Sequence, residues 1–277
     1  MPCKFVLFLI SLCAAVLAGC GGSSPLPGAV VTDIQANQLK YGQPTQFTFT
    51  GNLLDNEINV SVQNCKGLAL VAGGTSTSKT VSCTISSVGS GAVSLETKSV
   101  DGSILKSVSF NVPSPQVTLV TNLGTLKLEL NPTAAPLTVG NFLQYVNDKF
   151  YDNTIIHRIV TSSIFVAQGG WLTPAPVVQA GQRAAIALEV GKGLSNLKGS
   201  IAMARGTDLN SATSQFYFNL ADNTGLDTAN GGYAVFGKII SGIEVLDEML
   251  KIKTTTSNGL ADFPVSSVIV LSASQTQ

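Results

Sequence analysis

The only histidine of the chain, His157, stands beside Arg158 in the run NTIIHRIV, residues 153–160, and FVAQGG follows at residues 165–170. A guanidinium stays charged at any workable pH and carries rigidly aimed donors. Beside an apolar pocket, Arg158 can therefore polarise a carbonyl or an amide nitrogen without passing a proton. Strict alternation puts Ile156, Arg158 and Val160 on one strand face, and Ile155, His157 and Ile159 on the other. On these residues alone two readings stay open for Arg158, a polarising group or a surface arginine at a strand edge. His157 reads first as a structural hydrogen-bonder, since no Asp or Glu nearby in sequence orients it as a base. Gly169 and Gly170 allow the backbone to turn tightly beyond Gln168.

The rest of the chain offers little competing chemistry. Its 277 residues are 44% hydrophobic and 12% charged, with 16 basic residues balancing 16 acidic ones. Nucleic acid is excluded as the expected partner, because phosphate binding needs a clustered excess of Lys and Arg. No Gly-rich phosphate loop and no zinc-type Cys/His spacing occurs. A single histidine excludes most His-based metal sites. Paired catalytic carboxylates and a nucleophile–His pair are also missing, so neither a metal nor a cofactor is expected.

The first residues read as an address. MPCKFVLFLISLCAAVLAGC has Lys4 near its start and an apolar run from Phe5 to Ala18 with no acidic residue. That run is shorter than the roughly 20 residues a transmembrane helix needs, and suits a signal peptide core. Its end, Leu17-Ala18-Gly19-Cys20, resembles the bacterial lipobox, in which the cysteine is acylated. The competing reading is an ordinary export signal with a chance cysteine. The expectation is a signal peptide over 1–19, then a lipidated tether over 20–28, rich in Gly, Ser and Pro. Gly21 follows Cys20 where aspartate is associated with inner-membrane retention, so the expected position is the outer membrane, facing the periplasm. Cys65 and Cys83 then remain as a pair in an exported domain, where disulfides persist; two buried free thiols are the alternative.

Between the tether and VPSPQ, residues 112–116, short runs alternate with period two. Phe47 and Phe49, Val60 and Val62, Val81, Cys83 and Ile85, and Val108, Phe110 and Val112 each skip one polar residue. This is the pattern of a β-sandwich, and an immunoglobulin-like module is expected over 29–113. Beyond Pro115, Val117 and Leu119 lead through TNLGT into Leu126, Leu128 and Leu130, a hairpin. PLTVGNFLQYVNDKF places Val139, Phe142, Leu143, Val146 and Phe150 on one helical face, with Pro136 in the permissive first turn. SGIEVLDEML reads as a second helix, with Ser241 and Glu244 as a capping box and Ile243, Leu246, Met249 and Leu250 inward. Two helices among many strands predict a mainly β chain ending in an antiparallel barrel with capped ends.

From residue 116 to 275 the chain resembles a cyclophilin-type peptidyl-prolyl isomerase of the bacterial kind. The resemblance rests on blocks in order: NFLQYVNDKFYDNTIIHRIV, FVAQGG, GSIAMAR, NSATSQFYFNLADN, Leu226-Asp227 and GYAVFGKIISGIEVLD. It implies isomerisation of X–Pro bonds with Arg158 as the catalytic group and His157 in support. It implies a substrate cleft of Phe165, Val166, Gln168, Ala204, Arg205, Gln215, Phe216, Tyr217, Leu226 and Tyr233. The partners implied are proline-containing unfolded or flexible polypeptides, and a monomer is expected. Three departures stand out. IVTSSI runs two residues longer than the usual Pro-Gly turn, Tyr217 replaces a phenylalanine, and Gly225 replaces a large aromatic. Two further readings are a proline-peptide-binding module without turnover, and a lipid-anchored adhesion or partner-binding protein acting through the sandwich.

Overall fold

The computed structural model describes residues 28–55, 58–99 and 101–277. The expected signal segment, Cys20 and the tether up to residue 27 lie outside the described residues. The first part of the chain folds into β1 (Val30–Ala36), β2 (Pro44–Asn52), β3 (Asn59–Val62), β4 (Cys65–Leu70), β5 (Ser78–Ile85), β6 (Gly89–Lys98) and β7 (Ile104–Val112). These make two antiparallel sheets, β1-β2-β5-β4 and β3-β6-β7. Alternation is the cause: Phe47, Phe49, Val81, Ile85 and Leu95 point into one shared core while their neighbours face outward. Cys65 is bonded to Cys83 with Cα atoms 5.6 Å apart, tying edge strand β4 to β5 across 18 residues. A loop of that size contributes on the order of 3 kcal/mol by restricting the unfolded chain.

The second part comprises β8 (Gln116–Thr121), β9 (Gly124–Leu130), α1 (Pro136–Asn147), β10 (Thr154–Ile156), β11 (Arg158–Val160), β12 (Val166–Gly169), β13 (Ser200–Met203) and β14 (Phe216–Asn219). It continues through β15 (Val235–Ser241), α2 (Glu244–Leu250), β16 (Thr254–Ser257), β17 (Leu260–Pro264) and β18 (Val268–Gln275). Nine strands form one sheet in the order β10-β18-β8-β9-β15-β13-β14-β12-β11. Its two end strands, β10 and β11, are separated in sequence by His157 alone. Consecutive Cα atoms lie about 3.8 Å apart, so one residue can join the ends only if the sheet has rolled into a nearly closed barrel. The two parts of the chain touch: Tyr41 is buried in the barrel's cluster, and its carbonyl accepts from Gln275 Nε2 at 3.0 Å.

His157 also breaks the expected face pattern. Ile156 and Ile159 both enter the interior cluster, whereas Val160 belongs to a separate cluster on the outer face with Val166 and Tyr217. A continuous strand cannot put residues three apart on one face. The phase slips at His157 because β10 pairs with β18 and β11 pairs with β12. Ile156 therefore does not share the face of Arg158 and Val160.

Both helices bury residues in the interior cluster: Val139, Phe142, Leu143 and Val146 from α1, and Val245, Leu246 and Met249 from α2. Phe142 lies 5.1 Å from Phe236 and packs edge-on against Phe216 at 5.7 Å. Pro136 occupies the first turn of α1, which has no side-chain cap of its own. The carboxylate of Glu189 supplies it from elsewhere in the chain, accepting from Leu137 N at 3.1 Å and Thr138 N at 2.8 Å. An anion there meets both the orphan donors and the positive end of the helix dipole. The capping box expected for α2 does not form. Ser241 is the last residue of β15, and the helix begins after Gly242 with no side-chain cap bond. The N-cap position falls on Ile243, which is 41% exposed, while Val245 is buried beside Leu246 and Met249.

Candidate active site

Four barrel strands present their outward positions to one cleft. In β11 Ile159 points in while Arg158 and Val160 point out; in β12 Ala167 points in while Val166 and Gln168 point out. In β13 Ile201 and Met203 point in and Ala202 out; in β14 Phe216 and Phe218 point in and Tyr217 out. The cleft, about 190 Å³, is lined by Arg158, Ile164, Val166, Gln168, Ala204, Arg205, Tyr217, Leu226 and Tyr233. Gln168 Nε2 donates to Gln215 Oε1 at 2.9 Å, joining neighbouring outward positions of β12 and the entry to β14. Arg205 stacks its guanidinium 4.7 Å from the Tyr233 ring centre and donates to the carbonyls of Gly206, Asn230 and Gly232. It thereby ties the Tyr233 loop to the end of β13.

Three expected residues do not line the cleft: Gln215, which stands behind it bonded to Gln168, Phe216 and Phe165. Phe216 is wholly buried inside the barrel, because in Gln215-Phe216-Tyr217-Phe218 the even positions face inward. Phe165 is 37% exposed and does not line the cleft; Ile164 does. Counting back from Gln168 by two reaches Val166 and then Ile164, so the alternation already held this answer. The Phe165 backbone is clamped by Asn223, whose Oδ1 accepts from Phe165 N at 3.0 Å and whose Nδ2 donates to Phe165 O at 2.9 Å.

Behind the cleft lies a buried polar network that sequence reasoning missed. The Tyr217 hydroxyl donates to Asn196 Oδ1 at 2.7 Å, and Asn219 Nδ2 donates to the same oxygen at 3.0 Å. Asn219 Nδ2 also reaches Ser200 Oγ at 2.8 Å, while Asn223 Nδ2 donates to Asn219 Oδ1 at 2.8 Å. Asn196 donates through its backbone N and Nδ2 to Asp227 Oδ1, and Ser195 Oγ donates to Asp227 Oδ2. Burial by itself raises the Asp227 carboxyl, but these bonds more than offset it, so its pKa lies below the ordinary carboxylate value. Burial, then the neighbouring Tyr233 and Asp227, push the Tyr217 phenol well above its ordinary range. It stays a neutral donor that fixes the cleft floor.

His157 stands at the barrel seam, 3% exposed, with its ring edge-on to Trp171 at 5.4 Å. Its backbone N–H donates to Gln168 O at 2.9 Å, and Nδ1 is buried with no hydrogen-bond partner among the described residues. Burial, and next the Arg158 charge, lower its pKa to about 4, with the Ile155 carbonyl opposing. A neutral buried imidazole braces the seam; it does not shuttle protons at neutral pH. Because the unfolded chain binds this proton near pH 6.5 and the native one only near 4, stability falls as pH drops through that window. The expected loss is roughly 3 kcal/mol at pH 4 relative to pH 7. Urea unfolding of wild type and His157→Gln across pH 4–7 checks it: an unchanged slope in the variant would assign the loss to other groups.

Residues 116–275 match the family described as cyclophilin type peptidyl-prolyl cis-trans isomerase/CLD. The chain belongs to the cyclophilin-type peptidyl-prolyl isomerases. A peptidyl-prolyl cis-trans isomerase of Streptomyces antibioticus is 44% identical over 162 residues, spanning 57% of this chain and 96% of that protein. Isomerase A of Dickeya dadantii is 39% identical, spanning 58% and 84%. Among solved structures, a cyclophilin-type isomerase of Cryptosporidium parvum superposes with a TM-score of 0.50 at 26% identity, covering 58% of this chain and 99% of that one.

This cyclophilin accommodates its departures in identifiable ways. The IVTSSI segment delivers Ile164 to the outward position beside Val166, and leaves Phe165 outside the cleft. Tyr217 finds its hydroxyl partner in Asn196. A Cβ on Gly225 would meet nothing within 4 Å, so the cleft rim is open on that side.

Proposed function

We propose that this cyclophilin isomerises X–Pro bonds of exported, incompletely folded polypeptides, with Arg158 favouring the twisted amide and the adjoining cleft holding the prolyl ring. The observation that carries this reading is Arg158 lining a small concavity with Ile164, Val166, Leu226 and two tyrosine rings, beside the Gln168–Gln215 pair. At about 190 Å³ the cleft falls below the range of drug-sized pockets, roughly 300–1,000 Å³, and suits one small ring. The Cryptosporidium parvum relative was crystallised in the presence of the dipeptide Ala-Pro, which supports a proline-sized occupant here.

The chemistry asks for little. Amide resonance sets a barrier of about 18–20 kcal/mol to rotation, and no bond need break. As the amide twists, the prolyl nitrogen regains a lone pair and the carbonyl loses conjugation. A fixed guanidinium donating to that nitrogen stabilises the twisted form more than the planar one. Each 1.4 kcal/mol of such preference gives about tenfold in rate. Val166, Ile164, Tyr217, Leu226 and Tyr233 grip the ring while the preceding residue swings.

The address is part of the same proposal. Residues 1–19 act as an export signal, Cys20 carries lipid, and the anchored protein faces the periplasm from the outer membrane. The two-sheet unit, read as immunoglobulin-like, then holds the barrel off the membrane as a monomer. Intact mass of the membrane-extracted protein checks the anchor; a mature chain with unmodified Cys20 would remove it. For the activity, NMR exchange spectroscopy of an X–Pro peptide with catalytic amounts of the full chain is expected to show accelerated cis/trans exchange. Binding of the peptide without acceleration would leave a proline-peptide receptor instead.

A further inference from the structure

The Arg158 guanidinium is held from a place that none of the sequence blocks covers. Its Nε and Nη2 both donate to Oδ2 of Asp262, each at 3.3 Å, across 104 residues of sequence. Asp262 belongs to β17, which with β16 forms a two-stranded hairpin outside the barrel sheet and packs against β11. Arg158 lines the cleft and Asp262 does not. The carboxylate therefore takes one edge of the guanidinium, two of its five donors, and leaves the others for whatever the cleft contains.

The hairpin is deformed where it makes this contact. Thr255 pairs with Phe263 and Ser257 with Leu260, so Ala261 and Asp262 together oppose Thr256. That is a β-bulge, a device that re-aims a side chain and recurs beside active sites. Within it Asp262 has φ +57°, the left-handed region that disfavours any residue with a Cβ, Asp and Asn least. The ion pair is about one-third to two-fifths exposed, and pairs that wet add little stability. A strained residue tied into a weak pair makes poor sense as a stability device. Local strain of this kind is held where geometry matters more than stability.

We infer that Asp262 is a positioning residue for the isomerisation, fixing the plane and direction of the Arg158 guanidinium against the cleft. It touches no substrate. Without it the arginine samples rotamers turned toward water, and the fraction of bound peptides that meet an aligned donor falls. The inference rests on Arg158 being the group that favours the twisted amide.

The test uses the full chain and reads peptide affinity and on-enzyme exchange rate separately, by NMR titration and line-shape analysis of an X–Pro peptide. Asp262→Gly removes the carboxylate and relieves the left-handed strain, so its Tm is expected to equal or exceed that of wild type. Its exchange rate is expected to fall about tenfold, with Kd changed less than twofold. Asp262→Asn, which keeps the shape and one acceptor, is expected to lie between. In an Arg158→Ala background, Asp262→Gly is expected to change the rate less than twofold. Wild-type exchange in Asp262→Gly, or an equal fall in the Arg158→Ala background, would overturn the positioning role. Wild-type exchange in Arg158→Ala would instead refute the arginine assignment itself, so the two failures are told apart.

Discussion

Arg158→Ala is expected to lower on-enzyme cis/trans exchange by about a hundredfold to a thousandfold, the size of effect seen when one preorganised donor to a developing charge is removed. Peptide affinity should fall less than tenfold, because the grip on the ring comes from Val166, Ile164, Tyr217, Leu226 and Tyr233. Stability should barely change, since the side chain is 41% exposed and its only ion pair is with Asp262 among the described residues. Arg158→Lys is expected to recover little, because an ammonium has charge without the planar fork that binds Asp262 through two nitrogens and still presents donors to the cleft. The measurement is the same separation of Kd from exchange rate. A loss confined to Kd would make Arg158 a binding group and move the catalytic assignment elsewhere.

The second large effect is on the fold. Gly170→Ala places a methyl 2.6 Å from Ser214 O, 3.0 Å from Tyr151 Cε1 and 3.1 Å from Phe216 Cδ1, at φ +80°. None of these neighbours can yield cheaply. The Ser214 carbonyl accepts from the buried Tyr151 hydroxyl at 2.9 Å, and Ser214 Oγ donates to Gly170 O at 2.7 Å. Left-handed strain of about 1–2 kcal/mol and overpacking of about 1–3 kcal/mol together give a loss of about 3 kcal/mol. That should lower Tm by on the order of 10 °C. Gly140→Ala, inside α1 where a Cβ meets nothing within 4 Å, is the control and should stabilise slightly. Equal Tm values for the two variants would mean that the turn after Gln168 is looser than its contacts imply.

How far the sequence could be read differs from element to element. The β8–β9 hairpin, the inward face of α1 and the alternation of Phe47 with Phe49 follow from local period, and each side chain goes where its neighbours require. The same rule, counted strictly, puts Ile164, Val166 and Gln168 on one face. The resemblance points instead to Phe165, and it is Ile164 that lines the cleft. Ile156 leaves its expected face for a different reason: alternation does not continue across His157, where the chain changes sheet partner and the period restarts. The capping box of α2 fails because Gly242, at φ +85°, lets β15 run on through Ser241, so the cap position falls two residues later at Ile243.

Local pattern by itself determined that this chain is mainly β, with the β8–β9 hairpin and the inward face of α1, while the ordered blocks carried its resemblance to the cyclophilins. Those features depend on residues a few positions apart, where the period of a strand or helix dictates the face. Only the tertiary structure decided that Glu189 caps α1, that Asn196 receives the Tyr217 hydroxyl and that Asp262 grips Arg158. Each of those partners lies 21 to 104 residues away. Which carboxylate or amide arrives there depends on how the barrel closes and where a bulge turns the chain, and no short-range period records either.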